Sequence, residues 1–478
     1  MNNNGTVLGI LAEVLRTNSI KQLVFSGNPQ NIYGIFENDN TFIISKKCDR
    51  RSAGYFTMGL AQRTDQVAWL FCEGDNAGTV DVLPALTEAQ NQNVPMVVCA
   101  IGSNEYISDT CNLLKDKCRA VVNVDLDHIQ LSSELLSALY RVIASAKQSD
   151  KGPVLLYITG NLEKELKLDA DTQKVEIITQ DVFYHTIEKT KRELREASIC
   201  AYFDPFIEYN EEMLDTVCGF INEYNVAASL HEPYKLLPYI NNSIDEGKNY
   251  DVLISFSDSL SPEATCEVSR IKAKEKWLIS LGGCSDSVRD SINRFYLCGS
   301  QLFMSLVSQK QKSTLSKIDN GKTSGTLLEE VLIKLVSACE GRVNVLYGCE
   351  NRIAASRALA HCQNAFSAAY TTLQGGEGTL SVLIGQSVIY ESVMNICVLS
   401  VTEFLRDINA IHIRHYKDNV RIIVVSNPED EDTISRLKSW LTDYKIDSKD
   451  VFDKKSLEEV LCSFSQRDGQ VYAAFVKE

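Results

Sequence analysis

Arg50 and Arg51 stand side by side in the segment DRRSAGYFTMGLA, residues 49–61. Guanidinium forks match carboxylates and phosphates, so the pair offers a small-anion site or ion pairs with acids across a domain or subunit boundary. Further along, Gly375, Gly376, Glu377 and Gly378 open the run GGEGTLS. A glycine-rich turn ahead of a helix can hold a phosphate on its backbone N–H groups, though such a turn alone is a weak signal. Other clusters carry less. The acids of PEDED (428–432) read as a solvated face rather than a metal site. His412 and His415 lie three apart without a third ligand nearby, which suits packing or surface roles. The histidines form no Ser-His-Asp or Cys-His pattern, so no nucleophilic centre can be read. The 15 cysteines include no C-x-x-C pair, and most sit in apolar runs such as VPMVVCAIG and MNICVLSV. They read as small buried hydrophobes in a reducing compartment.

The elements that must position these residues follow from periodicity. Short β-rich runs at 22–27, 41–45, 67–72, 95–101, 120–124 and 154–158 alternate with helical patterns at 52–63, 79–93 and 131–146. This alternation implies a parallel sheet covered on both faces. A second α/β unit has strand runs at 197–204, 227–230, 251–257 and 276–282, with helices at 209–224 and 262–272. A third has strand runs at 343–348, 396–401, 420–427 and 470–476. The expected division is 1–165, 166–308, a polar linker at 309–325, and 326–478, in keeping with roughly 150 residues per domain. The outer two units share a strand–helix grammar, as duplicated domains would. Lys and Arg total 48 against 63 Asp and Glu, a net charge of −15, which argues against a nucleic-acid partner. No apolar run is long enough to span a bilayer, and residues 1–5 lack the pattern of a signal peptide. The expected location is the cytoplasm, with no membrane partner.

Four segments, in order, carry a resemblance. They are DRRSAGYFTMGLA, the stretch VAWLFCEGDNAGTVDVLPALTEAQNQNVPMVVC (67–99), GGEGTLSVLIG (375–385) and FLRDINAI (404–411). Together they resemble thiamin-diphosphate-dependent enzymes, and most nearly the menaquinone-pathway 2-succinyl-5-enolpyruvyl-6-hydroxy-3-cyclohexene-1-carboxylate synthases. The resemblance implies an α/β fold of three domains with mostly parallel sheets: pyrimidine-binding-like, central and diphosphate-binding-like. It also implies a homodimer or homotetramer, in which the first domain of one subunit faces the third domain of another.

The departures from the family pattern fall on its chemistry. The family's D-E-R-S-A-G glutamate shares a proton with the cofactor's aminopyrimidine ring; here that position is Arg50. A guanidinium stays charged and only donates hydrogen bonds, so it cannot carry a proton shuttle. The family's metal-binding G-D pair becomes Ser400-Val401, and its N-N pair becomes Ser426-Asn427. Val401 offers no oxygen to a magnesium ion, whereas Asn427 still does. The Thr-Ser-Gly-Thr loop becomes Gly74-Asp75-Asn76-Ala77, and the S-R-S-T-P turn becomes Gly27-Asn28-Pro29-Gln30-Asn31. After Asn427 the chain enters a helical pattern at once and is expected to lack the family's covering segment. No catalytic residue and no metal ligand set is therefore expected. Arg50, Gly375, Gly376, Glu377, Gly378 and Asn427 remain as vestigial cofactor contacts. The expected protein is a degenerate relative that needs no cofactor and binds a partner or a small anionic ligand. Two alternatives stay open: an active lyase or transferase using thiamin diphosphate with Mg in an atypical site, and a non-catalytic subunit beside an active homologue.

Overall fold

The computed structural model describes residues 6–27, 32–47, 49–64, 67–103, 111, 114–147, 151–167, 187–203, 211–228, 244–245, 247–256, 271–279, 294–296, 300–308, 326–370, 377–412, 419–466 and 471–477. The first six strands are β1 (Gln22–Ser26), β2 (Ile43–Lys47), β3 (Ala68–Glu73), β4 (Met96–Gly102), β5 (Ala120–Asp125) and β6 (Val154–Thr159). Their order is β2-β1-β3-β4-β6-β5, and every pairing is parallel. Near-continuous apolar runs such as AWLFC and VVCAI suit this arrangement, because parallel strands are buried on both faces. Phe25, Phe36, Trp69, Phe71, Val97 and Leu156 form the centre of its core. The helix Val7–Thr17 packs against the helix Ser132–Lys147 on this unit. It is capped by Thr6, whose Oγ1 accepts from the N–H of Gly9 at 3.1 Å. A short helix, Tyr33–Glu37, had no periodic signal in the sequence because it is barely longer than one turn.

The second sheet comprises β7 (Ile199–Phe203), β8 (Ala227–Ala228), β9 (Tyr250–Phe256), β10 (Ala273–Ile279) and β11 (Arg294–Tyr296). Its order is β11-β10-β9-β7-β8, again parallel. In its core Phe203 stacks on Phe256, which meets Phe220 and Phe303 edge to face. The helix Glu211–Tyr224 lies where the sequence placed one. Most of the other expected helix, at 262–272, lies outside the described residues, as does the linker 309–325.

The third sheet has β12 (Val343–Tyr347), β13 (Ala365–Tyr370), β14 (Met394–Ser400), β15 (Val420–Ser426), β16 (Asp447–Val451) and β17 (Val471–Lys477). Its order, β13-β12-β14-β15-β17-β16, reproduces that of the first sheet strand for strand. Two of these strands, β13 and β16, were not expected. β16 reads DSKDV and is an edge strand, where charge discourages pairing with other chains and leaves no hydrophobic alternation to detect.

By contacts the chain forms two compact units. One holds Met1–Thr179 with Ser381–Ile389 and Asn409–Ile413; the other holds the remainder, including the second and third sheets. Within the first unit the helix Arg50–Thr64 meets the segment Ser381–Ile389 at backbone contact. A Cβ on Gly59 would lie 2.1 Å from the carbonyl oxygen of Val382, and one on Gly385 would lie 2.2 Å from that of Phe56. Beside them Gln386 Nε2 donates to Gln62 Oε1 at 2.7 Å. Two of the four family-like segments are thus held together by their glycines. Among the described residues no helix is long and apolar enough to cross a membrane.

Candidate functional site

In a doubly wound sheet, ligands bind outside the carboxyl ends of the strands, where the strand order reverses. The first sheet reverses between β1 and β3. Gly27 follows β1 there, Glu73 ends β3, and Asp75 lies two residues on. Arg50 opens the helix that points at this place. Asp49 caps that helix: its Oδ2 accepts from the N–H of Ser52 at 3.1 Å and from Ser52 Oγ at 2.6 Å. Arg50 Nη1 donates to Asp75 Oδ1 at 3.1 Å, and Nη2 donates to Glu73 Oε2. The Arg50 side chain is 20% exposed and the two acids 46% and 47%. The cation is therefore the enclosed member, and both sides of its fork are taken by its own domain. Burial works against its charge, but Asp75 and Glu73 outweigh burial and hold the guanidinium above its ordinary pKa. Gly27 has φ +80°, and a Cβ on it would sit 3.1 Å from Glu73 Oε1. The glutamate lies directly over the turn.

The third sheet reverses between β12 and β14. Gly348 follows β12, and Ser400 ends β14. Ser400 caps the short helix Val401–Arg406, its Oγ accepting from the N–H of Glu403 at 3.2 Å. The Glu403 carboxylate turns back: Oε2 accepts from the N–H of Ser400 at 2.9 Å, and Oε1 from the N–H of Glu350 at 3.2 Å. Glu403 is fully buried, at 0% exposure. A Cβ on Gly348 would fall 1.9 Å from Glu403 Oε2. The carboxylate occupies the recess that the missing side chain leaves. The sequence reading passed over Glu403, although Ser400-x-x-Glu403 carries the pattern of a capping box.

Ser400 pairs with Val425, so Val401 and Asn427 stand at the same end of adjacent strands. Val401 is buried and apolar. Asn427 is exposed and sits in its own turn: its carbonyl oxygen accepts from the N–H of Asp430 at 3.0 Å, and its N–H donates to Asp430 Oδ2 at 3.0 Å. From that turn the chain runs straight into the helix Glu431–Asp443. Glu377 and Gly378, the latter at φ +78°, lead into the helix Thr379–Ile389. Gly375, Gly376 and His415 lie outside the described residues. Among the described residues there is no group of three or more side chains able to hold a metal ion. Cys72, Cys99 and Cys397 are buried strand residues; burial pushes the Cys72 thiol up to about 12 and the other two well above their ordinary value.

The second sheet carries a cavity of about 600 Å³ at the amino ends of β7, β8 and β9, lined in part by Arg195, Ser198, Glu223 and Lys248. Arg195 and Glu223 face each other there at 3.7 Å.

No protein-family model matches the chain, and no curated protein matches it. Solved structures do. An enzyme from Mycobacterium smegmatis described as thiamin diphosphate-dependent superposes with a TM-score of 0.73 at 15% identity, covering 99% of this chain and 98% of that one. A thiamine diphosphate-dependent 4-hydroxybenzoylformate decarboxylase from Rhodococcus jostii RHA1 gives 0.74 at 11% identity, with the same coverage. The benzoylformate decarboxylase of Polynucleobacter necessarius gives 0.74 at 12%, again with the same coverage. With three parallel sheets matched over nearly its whole length, the chain has the fold of thiamin diphosphate-dependent enzymes.

Proposed function

We propose that this chain is a degenerate relative of the thiamin-diphosphate-dependent synthases that does not perform their standard chemistry and works by binding a partner or a small ligand. The observation that carries the reading is Arg50. At the position of the family's proton-sharing glutamate stands a permanently charged donor, engaged on both sides by Glu73 and Asp75. A group that cannot lose its proton cannot activate the cofactor by proton exchange.

The third sheet supports the same reading. A diphosphate held through magnesium needs hard oxygen ligands and free N–H donors at the strand ends. Val401 supplies no oxygen, and the Ser400 and Glu350 N–H groups already serve Glu403. The residues present do not fit thiamin diphosphate with Mg, and no catalytic step is assigned through it. Likeness to the menaquinone-pathway synthases rests on the four sequence segments, two of which meet at Gly59 and Gly385 in a packing role. Assembly as a homodimer or homotetramer belongs to the same proposal and is read by native mass.

Calorimetric titration of the full chain with thiamin diphosphate and Mg²⁺ tests the reading. No saturable heat is expected; metal-dependent micromolar binding would overturn it. The double variant Arg50→Glu with Val401→Asp should still fail to decarboxylate or ligate 2-oxoacids, because Glu403 remains in the recess and the turn after Asn427 is unchanged.

A further inference from the structure

We propose that the Glu403 carboxylate is a resident internal anion that closes the switch point of the third sheet to phosphate-like ligands. The inference deepens the non-catalytic reading and rests on it. A carboxylate withdrawn fully from water is costly unless hydrogen bonds replace its hydration. Here the replacement comes from two backbone N–H groups, that of Ser400 at the end of β14 and that of Glu350 just beyond the neighbouring β12. Backbone donors converging between two strand ends are what an external oxyanion would use. Glu403 takes them from within.

The recess is shaped for this side chain. With 1.9 Å between a Cβ on Gly348 and Glu403 Oε2, any larger residue at 348 and the carboxylate exclude one another. The first sheet, which has the same strand order, repeats the arrangement in an open form. Gly27, directly after β1, lies under Glu73 from the end of β3, just as Gly348, directly after β12, lies under Glu403 beyond the end of β14. In the first sheet Arg50 neutralises the acid. In the third, its partners are backbone N–H groups, and the acid itself is the stopper.

The test compares wild type with Glu403→Ala, titrated with inorganic pyrophosphate without metal and followed by calorimetry and thermal unfolding. Wild type should give no saturable binding and an unchanged midpoint. Glu403→Ala should unfold at a lower temperature, and pyrophosphate should restore the midpoint saturably, with at least tenfold tighter binding than to wild type. Glu403→Ser, whose hydroxyl can still accept from a backbone N–H, carries the same comparison if the alanine variant does not fold. Should neither fold unaided, recovery of soluble protein on refolding only with pyrophosphate supports the proposal, and no recovery counts against it. Equal pyrophosphate binding by wild type and variant, or none by a folded variant, overturns it. A blank result of that last kind leaves the non-catalytic reading standing, which the thiamin diphosphate titration decides separately.

Discussion

Arg50 illustrates how an arginine at the start of a helix can become a local ion-pair centre. Its guanidinium bridges Glu73 and Asp75, which would otherwise repel each other at the end of β3. Both acids are nearly half exposed, so solvent screens the interaction and its worth is modest, on the order of 1 kcal/mol or less. Arg50→Ala is expected to lower the unfolding free energy obtained from urea titration by about that amount, and the loss should shrink at high salt because exposed charges are screened. Comparing wild type and variant in low and high salt checks this. A loss that is large and insensitive to salt would mean that the trio is held away from water.

At the scale of elements, helix crossings and helix ends organise the molecule. Gly59 and Gly385 allow two helices to meet at their backbones. Alanine in a helix is normally favoured over glycine by about 1 kcal/mol. At 2.1 Å from a carbonyl oxygen that gain is outweighed, because backbone cannot swing aside as a side chain can. Gly59→Ala and Gly385→Ala are each expected to destabilise by about 1–3 kcal/mol, as overpacking does. Chemical denaturation reads the sign, and a stabilised variant would contradict the crossing. Arg421 shows the complementary case of a buried cation. Its Nε donates to Phe464 O at 2.8 Å, and Nη2 donates to Gln466 O, so it sits at the carboxyl end of the helix Lys454–Ser465. There the helix dipole and unsatisfied carbonyls favour positive charge.

For the whole molecule, the repeated strand order of the first and third sheets places two equivalent switch points in one chain, each with a glycine under a glutamate. The second sheet contributes a different control, over acid stability. Asp251 Oδ1 accepts from Lys274 Nζ at 2.6 Å, while Oδ2 accepts from the Ser198 N–H at 2.9 Å and its Oγ at 2.7 Å. Lys274 first, then Ser198, hold the Asp251 carboxyl well below the usual carboxylate range. A depressed carboxylate stabilises fully above its unfolded value, about 3.9, and loses that contribution as the pH falls through the folded value. Asp251→Asn should therefore be less stable at pH 7, and its deficit should narrow as the pH drops below about 4. Urea midpoints measured across that range test this; a constant deficit would count against the assignment.

Strand runs, the parallel class of the sheets and the family-like segments were legible in the chain because they depend on local periodicity and on short ordered motifs. That position 50 carries a permanently charged donor was equally legible, since it follows from residue type: arginine does not titrate. β16 was not, because DSKDV at a sheet edge carries charge where an inner strand carries apolar residues. Nor was Glu403, which in sequence is one more acid in a short helix. Its role arises only when β12 and β14 pair and bring Gly348 and Glu350 to the carboxyl end of β14. The partners of Arg50 lie 23 and 25 residues away and are chosen by the pairing of β1 with β3. Residue chemistry is carried along the chain, but which donors meet which acceptors depends on strand order and register, and those exist only once the sheet has formed.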